Sequence, residues 1–213
     1  MKSFDPSLYF ITDRTGMEEE DFLLRVEKAL KGGITLLQLR EKESSTKALI
    51  ELAEKVHVLT RQYKVPLIID DRVDVALAID AEGVHVGAED MPVAIARKLL
   101  GEEKIIGATA KTVSAAREAF TQGADYLGVG AIYPTATKVK TKLTAPETLG
   151  EICRAVPIPV NAIGGLDQDH LEILKGIPIA GICVVSAIMK AEDPQKAAKS
   201  LKDKVKALGL YRE

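Results

Sequence analysis

Cations and carboxylates follow several short apolar runs of this sequence. Gln38-Leu39-Arg40-Glu41-Lys42 closes one run, Asp70-Asp71 closes a second, and Asp90 lies just beyond a third. An Arg fork and a Lys point charge suit a diphosphate group. Two carboxylates suit Mg2+, which completes its octahedron with water and substrate phosphates. The pattern therefore favours a site that binds a diphosphate together with a divalent ion.

The same residues also have a purely structural interpretation. Asp71 and Asp90 stand where a side chain caps the first turn of a following helix, whereas Arg40 and Lys42 fit ordinary surface charges. Residue types and spacing leave both interpretations open.

A second group of residues favours another phosphate. Thr135-Ala136-Thr137-Lys138 brings two hydroxyls and an ammonium into a loop longer than most strand-to-helix loops. Gly164-Gly165 and Val185-Ser186 follow two later apolar runs, and glycine lets a backbone N–H approach a phosphate closely. A solvated loop and a simple tight turn are the structural alternatives.

Apolar runs of strand type alternate with helical periodicity along the chain. We expect strands at 8–12, 34–39, 66–70, 83–87, 104–108, 125–130, 159–163 and 179–185, with a helical segment after each, including one over 167–176. Continuous apolar strands of this kind are buried on both faces, as in parallel sheets.

Eight strand–helix units fit an α/β protein with a single-domain (β/α)8 TIM barrel over residues 1–213. A doubly wound sheet of six strands is the alternative, and it leaves two units unplaced. In the barrel, reactive groups lie at the carboxyl ends of the strands, which is where the charged residues and Thr109 fall. We therefore expect the active site at that end.

Composition and charge exclude several classes of protein. The 213 residues are 46% hydrophobic and 4% aromatic, and 29 Lys and Arg balance 31 Asp and Glu, so no basic excess indicates nucleic acid or an anionic membrane. The first apolar run is too short for a signal sequence or a membrane span, and two cysteines make no disulfide framework. We expect a cytoplasmic protein with small phosphorylated substrates, and the sequence leaves a homo-oligomer open.

The three histidines offer no obvious catalytic arrangement. His57 and His170 fall in helical patterns and are interpreted as structural. His85 lies within a strand, where it is able to face a barrel interior, but it too is interpreted as structural. Two phosphorylated ligands across one barrel mouth instead imply a reaction that joins them, with diphosphate as the leaving group. Such chemistry depends more on stabilising the departing charge than on a general base.

Six segments, in this order, resemble the motifs of the thiamine-phosphate synthase family: LYFITD, QLREK, LIIDDRVDVALAIDAEGVHVGAED, GADYLGVGAIYPTATK, PVNAIGG and VVSAI. The resemblance runs from about Leu8 to Asp193 and implies a (β/α)8 barrel that requires one Mg2+ per active site. It also implies the reaction: a 4-amino-2-methyl-5-(diphosphooxymethyl)pyrimidine is joined to a thiazole phosphate, plain or carboxylated, giving thiamine phosphate and diphosphate through a dissociative, carbocation-like step.

The resemblance further implies roles for individual residues. Asp71 and Asp90 would hold Mg2+. Catalysis would rest on Arg40, Lys42, Thr109 and Lys138. The pyrimidine diphosphate would be bound by Gln38, Leu39, Arg40, Glu41, Lys42, Asp70, Thr109 and Lys138. The thiazole phosphate would be bound by Thr135, Ala136, Thr137, Gly165, Val185 and Ser186.

Three positions depart from the family pattern. Asp70 stands where Asn is common, Ala88 where Gln is common, and Thr109-Ala110-Lys111 where Ser and a His-containing turn are usual. Asp70 either turns toward the pyrimidine amino group or weakens diphosphate binding, unless Mg2+ or Lys offsets its charge. Two rival functions are a thiazole tautomerase on the same barrel, which needs no pair of metal carboxylates, and a non-catalytic sensor of phosphorylated ligands.

Overall fold

Eight parallel strands pair in sequence order and close into one barrel, because β8 also pairs with β1. The computed structural model describes residues 4–135 and 142–209. The strands run Leu8–Ile11 (β1), Leu36–Leu39 (β2), Leu67–Asp70 (β3), Gly83–Val86 (β4), Ile105–Thr109 (β5), Tyr126–Gly130 (β6), Val160–Ile163 (β7) and Gly181–Val184 (β8). The predicted (β/α)8 barrel is confirmed, and the doubly wound alternative is wrong.

Helices cover the outside of the barrel. They run Glu19–Lys31 (α1), Thr46–Gln62 (α2), Val73–Ala78 (α3), Val93–Leu100 (α4), Val113–Thr121 (α5), Pro146–Ala155 (α6), Ser186–Met189 (α7) and Pro194–Ala207 (α8). Within residues 4–135 and 142–209, no helix is long and apolar enough to cross a membrane.

The connection between β7 and β8 differs from the expected helix over 167–176. It contains a short 3-10 turn at Glu172–Leu174, and two helices follow β8 instead of one. The Asp167 carboxylate accepts hydrogen bonds from the Asp169 amide at 2.9 Å and the His170 ring at 2.7 Å. An Asp side chain that bonds its own backbone in this way competes with helix formation.

Alternation along each strand divides the apolar residues between two cores. Tyr9, Leu36, Ile68 and Tyr126 belong to a small core inside the barrel. Their strand neighbours, such as Leu8, pack in a larger core between the strands and the helices. Successive strand residues point to opposite faces, so both faces are buried and the strands appear in the sequence as continuous apolar runs.

Glycine in β5 makes room for an aromatic ring inside the barrel. Gly107 pairs with Tyr126 of β6, and a Cβ at Gly107 would overlap the Tyr126 ring and hydroxyl. Tyr126 is fully buried and makes edge-to-face contacts with Phe4 and Tyr9, each with ring centroids 5.7 Å apart. The position of this ring therefore depends on the missing side chain at Gly107.

We expect Gly107→Ala to lower the free energy of unfolding by about 1–3 kcal/mol, because the new methyl group overlaps a ring that is packed on all sides. Urea unfolding measures the change. Gly150→Ala is the matched control, since its Cβ in α6 would lie 3.4 Å from the Arg154 guanidinium, an ordinary contact. Ala also favours helix over Gly, so that variant should be neutral or more stable. Identical unfolding midpoints for Gly107→Ala and the wild type would contradict the packing.

Candidate active site

A cavity of about 280 Å3 opens at the carboxyl ends of the strands. The structure brings most of the predicted site residues to its wall: Gln38, Arg40, Lys42, Asp70, Asp71, Asp90, Thr109, Thr135, Gly165, Val185 and Ser186. Three further predicted residues, Ala136, Thr137 and Lys138, lie outside the described residues.

Two residues of the predicted diphosphate segment do not line this cavity. The Leu39 side chain is fully buried in the core between strands and helices, because it alternates with the inward-facing Gln38. The Glu41 carboxylate accepts a hydrogen bond from Ser44 at 2.9 Å and lies 3.7 Å from Arg14. Both side chains are engaged with the protein, so substrate contact at these two positions stays a prediction.

A larger cavity, about 430 Å3, lies at the opposite end of the barrel. Arg97 lines it, and its guanidinium donates to Asp125 at 2.6 Å and to the carbonyl oxygens of Gly101, Lys104 and Gly123. The hydrogen bonds of this guanidinium are therefore made to carbonyl oxygens and a carboxylate of the protein itself. The cavity at the carboxyl ends, in contrast, gathers groups suited to phosphorylated ligands.

Lys42 joins two carboxylates at the end of β3. Its ammonium lies 2.8 Å from Asp70 Oδ2 and contacts Asp71 Oδ2. Burial by itself lowers the pKa of Lys42, but the two carboxylates raise it overall. The distance between Lys42 Nζ and Asp70 Oδ2 is that of an ion pair, but the angles are not those of a hydrogen bond. The buried Asp70 Oδ2 atom therefore accepts no hydrogen bond. Lys42 is therefore held as an ammonium ion between the two carboxylates.

The backbone at Asp71 is in the left-handed region, with φ of 59°. Its N–H donates to the carbonyl of His85 on β4 at 2.8 Å, which holds this conformation in place. Such backbone is uncommon outside glycine and is found at sites where the surrounding structure enforces it. The turn points the Asp71 carboxylate into the mouth of the barrel.

Asp90 belongs to the same cluster and is held by backbone. The N–H of Gly87 donates to Asp90 Oδ2 at 2.9 Å, and a Cβ at Gly87 would lie 2.6 Å from that oxygen. A side chain at position 87 would therefore displace the Asp90 carboxylate from this hydrogen bond. Burial and the neighbouring Asp71 carboxyl raise the pKa of Asp90.

Helix capping, the structural alternative for these two aspartates, is wrong. The N-cap residues of α3 and α4 are Arg72 and Pro92, and neither helix has a side-chain cap. Asp71 and Asp90 instead direct their carboxylates at each other and at Lys42.

Polar side chains inside the barrel form a continuous hydrogen-bond chain. Gln38 Nε2 donates to the Tyr9 hydroxyl at 2.7 Å, which lies 2.8 Å from the Tyr126 hydroxyl. His85 Nδ1 lies 3.1 Å from the Tyr126 hydroxyl, and His85 Nε2 lies 3.0 Å from Thr109 Oγ1. These five residues are called the interior chain below.

The rim at β7 and β8 has a different character. Gly164 and Gly165 follow β7 with φ of 101° and 65°, and Val185 and Ser186 follow β8. A Cβ at Gly165 would lie 2.6 Å from the Tyr133 Cβ and 2.8 Å from the Pro134 carbonyl oxygen. This side of the mouth offers backbone groups and a hydroxyl, whereas the β2–β4 side offers charges.

Most of the chain is similar to known thiamine-phosphate synthases. The model of the family described as thiamine monophosphate synthase matches residues 8–188. The thiamine-phosphate synthase of Enterococcus faecalis is 54% identical over 185 residues, 87% of each chain, and that of Clostridium tetani is 48% identical over 94% of this chain and 96% of its own. The structure of thiamine phosphate pyrophosphorylase from Pyrococcus furiosus superimposes with a TM-score of 0.84 at 41% identity, covering 95% of this chain and 96% of that one.

The chain belongs to the thiamine monophosphate synthase family. It is therefore an enzyme, a transferase of thiamine biosynthesis, as the motifs implied. The segments that carried the resemblance also supply most of the cavity wall of this family member, from Tyr9 on β1 to Ser186 after β8.

Several residues that line the cavity of this synthase family member were not among the predicted site residues, and Tyr9, His85, Gly87 and Lys111 are four of them. His85 was interpreted as structural, yet both of its ring nitrogens contact polar groups of the interior chain. The only sequence signal was its place at an alternate position of a strand. Hydropathy does not indicate which side chains of such a strand point into the barrel, because both faces of the strand are buried and apolar.

Proposed function

We propose that this enzyme transfers the pyrimidinylmethyl group of 4-amino-2-methyl-5-(diphosphooxymethyl)pyrimidine to a thiazole phosphate, plain or carboxylated. The bond between the methylene carbon and the diphosphate oxygen breaks, and both electrons leave with diphosphate. The lone pair of the thiazole nitrogen then forms the new C–N bond, which gives thiamine phosphate directly from the plain thiazole phosphate. From the carboxylated form, CO2 also leaves, its bonding electrons stay on the ring carbon, and a proton from solvent takes its place. With the plain thiazole phosphate no proton has to move, which fits a cavity whose one histidine, His85, is hydrogen-bonded to Tyr126 and Thr109.

A single observation carries this proposal: one cavity has a charged wall and an uncharged wall that face each other. The β2–β4 wall holds Arg40, Lys42, Asp70 and Asp71. The β7–β8 wall holds two glycines and the turn into α7, where backbone N–H groups suit a phosphate. Two phosphorylated ligands would therefore meet in the cavity with their reactive ends together.

Charge balance supports a divalent ion at the charged wall. In the described part of the cavity, three cations (Arg40, Lys42, Lys111) face three carboxylates (Asp70, Asp71, Asp90). Such a wall is neutral and cannot by itself offset a bound diphosphate. No group of three or more His, Cys, Asp or Glu that could hold a metal occurs in residues 4–135 and 142–209. A site with only two carboxylates suits Mg2+, which takes further ligands from water and phosphates.

Asp71 and Asp90 are the residues that would hold Mg2+. Their carboxyls approach each other, and this contact contributes to the raised pKa of Asp90, so a cation between them would relieve the repulsion. When bound, Mg2+ would supply positive charge that stabilises the departing diphosphate. Arg40 and Lys42 would bind the same group through charge-assisted hydrogen bonds, and Lys138 remains a predicted third cation.

Asp70 stands where the family pattern commonly has Asn, and cations lie near the negative charge that this difference adds. Lys42 lies 2.8 Å from Asp70 Oδ2, and Arg40 Nε lies 3.9 Å from the same atom. We infer that Asp70 positions these cations for the diphosphate and that its own charge is offset by Lys42. The alternative, in which Asp70 meets the pyrimidine amino group, would require these ion pairs to open.

The proposed reaction is tested by measuring diphosphate release from both substrates, with Mg2+ and with a chelator. We expect release only when Mg2+ and the thiazole phosphate are both present. Release without thiazole phosphate would indicate hydrolysis. Isomerisation of a thiazole phosphate alone would favour the tautomerase, and binding without turnover would favour the sensor.

Asp71→Asn and Asp90→Asn refine this test. Each should reduce Mg2+-dependent release at least roughly a hundredfold, in the range of losses for groups that stabilise charge in a transition state. Asn tolerates the left-handed backbone of position 71, so the fold should be kept. Asp203→Asn, at an exposed position of α8, is the matched control. Wild-type release by either cavity variant would remove the metal assignment.

The dissociative character of the step has its own test. Deuterium at the reacting methylene should slow single-turnover release, because the carbon changes from tetrahedral to planar as diphosphate departs. We expect the isotope effect to be normal and to vary little with the concentration of thiazole phosphate. An effect near unity, or an inverse one, would support direct displacement by the thiazole nitrogen.

Lys42 should also compete with a metal ion for Asp71. We expect Lys42→Met to bind Mn2+ roughly tenfold more tightly without substrate, because one unit charge at about 4 Å is worth ~1 to ~4 kcal/mol near a protein surface. Its affinity for the pyrimidine diphosphate should fall. Calorimetric titration measures both, and Lys55→Met, which removes an exposed ion pair with Glu19, is the control. Weaker Mn2+ binding by Lys42→Met would contradict the competition.

A further inference from the structure

The interior chain links two residues that the proposed function places against the pyrimidine substrate. Gln38 on β2 and Thr109 on β5 both line the cavity and stand on strands separated by β3 and β4. Between them, Tyr9, Tyr126 and His85 make four consecutive contacts of 2.7–3.1 Å. None of these three residues has a role in the reaction as proposed above.

The two tyrosines are held firmly. Tyr9 and Tyr126 are 1% and 0% exposed, and Tyr126 occupies the space that Gly107 leaves open. Burial raises the pKa of both phenols well above the ordinary value. Each hydroxyl therefore stays protonated and donates one hydrogen bond to one neighbouring acceptor.

Proton counting then gives the interior chain a direction. The amide nitrogen of Gln38 only donates, so the Tyr9 oxygen accepts and the Tyr9 proton goes to Tyr126. The Tyr126 proton must go to His85 Nδ1, which leaves the ring proton on Nε2. His85 Nε2–H then donates to Thr109 Oγ1, so the Thr109 hydroxyl keeps its own proton for an acceptor other than His85.

We propose that Tyr9, Tyr126 and His85 are positioning residues that fix Gln38 as an acceptor and Thr109 as a donor toward the pyrimidine substrate. One of the two Gln38 N–H bonds is used on Tyr9, which turns the amide nitrogen toward the interior chain and leaves the amide oxygen as the acceptor offered to the cavity. An aminopyrimidine diphosphate has the complementary pattern, because its exocyclic amine donates and its ring nitrogens and diphosphate oxygens accept. The identity of that ligand rests on the proposed function, whereas the direction of the interior chain rests on the hydrogen bonds alone.

His85 acts through its neighbours in this arrangement. Both ring nitrogens are occupied, one by Tyr126 and one by Thr109, so the imidazole has no nitrogen to offer a substrate. The β6 residue opposite is Gly128, whose Cβ would lie 3.3 Å from His85 Cε1. The His85 ring thus lies between two hydroxyls, which suits a role in fixing the direction of their hydrogen bonds.

The direction is tested in the free enzyme by NMR of 15N-labelled histidine, with the His85 signals assigned through a His85→Gln variant. We expect the neutral Nε2–H tautomer in the wild type. Tyr126→Phe keeps the ring but removes the hydroxyl that fixes the tautomer, so Nδ1–H should appear. Tyr63→Phe, which loses only a surface hydrogen bond to Glu27, should change nothing. Nδ1–H in the wild type would reverse the chain and overturn the proposal.

The effect on substrate is tested by kinetics with each substrate varied in turn. Tyr126→Phe and Tyr9→Phe should each lower kcat/KM for the pyrimidine diphosphate roughly tenfold, the value of about one hydrogen bond. The KM for thiazole phosphate should stay within about twofold, a split that general loss of structure would not give. Unchanged kcat/KM in two folded variants would overturn the positioning role. If the wild type releases no diphosphate, the proposed function fails, and the tautomer measurement still judges the interior chain.

Discussion

Closure of eight parallel strands into a barrel forces every second residue of each strand into one narrow interior. The register between strands then decides which of these residues meet: Asp70 lies beside His85, and Gly107 beside Tyr126. Polar groups that enter this space lose water and have to find partners within the protein. The interior chain is the result of that constraint, and most of its residues line the inner end of the cavity.

Electrostatics dominates the mouth of the barrel as hydrogen bonding dominates its floor. Asp70 and Asp71 are only 10% and 19% exposed, and Lys42 reaches between them. Neighbouring carboxylates that are partly buried are stabilised by a nearby cation, and Lys42 is that cation here. In the proposed reaction the same groups would exchange partners, because a bound diphosphate would attract Lys42 and Asp71 would then be able to hold Mg2+. The proposed role of the cluster therefore uses the same groups that pair with each other in the free enzyme.

Most of the fold could be predicted from the sequence because its signals are local. All eight strands lie within or overlap the predicted apolar runs, and side-chain caps at Ser45, Thr112 and Asp193 begin α2, α5 and α8. The connection before β8 was predicted wrongly, because the Asp167 side chain bonds its own backbone and interrupts an otherwise helical pattern. Capping by Asp71 and Asp90 was a plausible local alternative that the tertiary contacts of both carboxylates exclude.

The sequence by itself determined the family, the barrel and the rim segments that carry charge, because motifs and apolar runs are properties of neighbouring residues. Only the tertiary structure decided which member of a segment faces the cavity: Gln38 points inward and Leu39 outward, although both belong to the same motif. Only the structure joined Tyr9, Tyr126 and His85, which stand on three strands far apart in the chain. The physical reason is that alternation along a strand sets the direction of each side chain. The register between strands sets its partner, and that register depends on all eight strands of the closed barrel together.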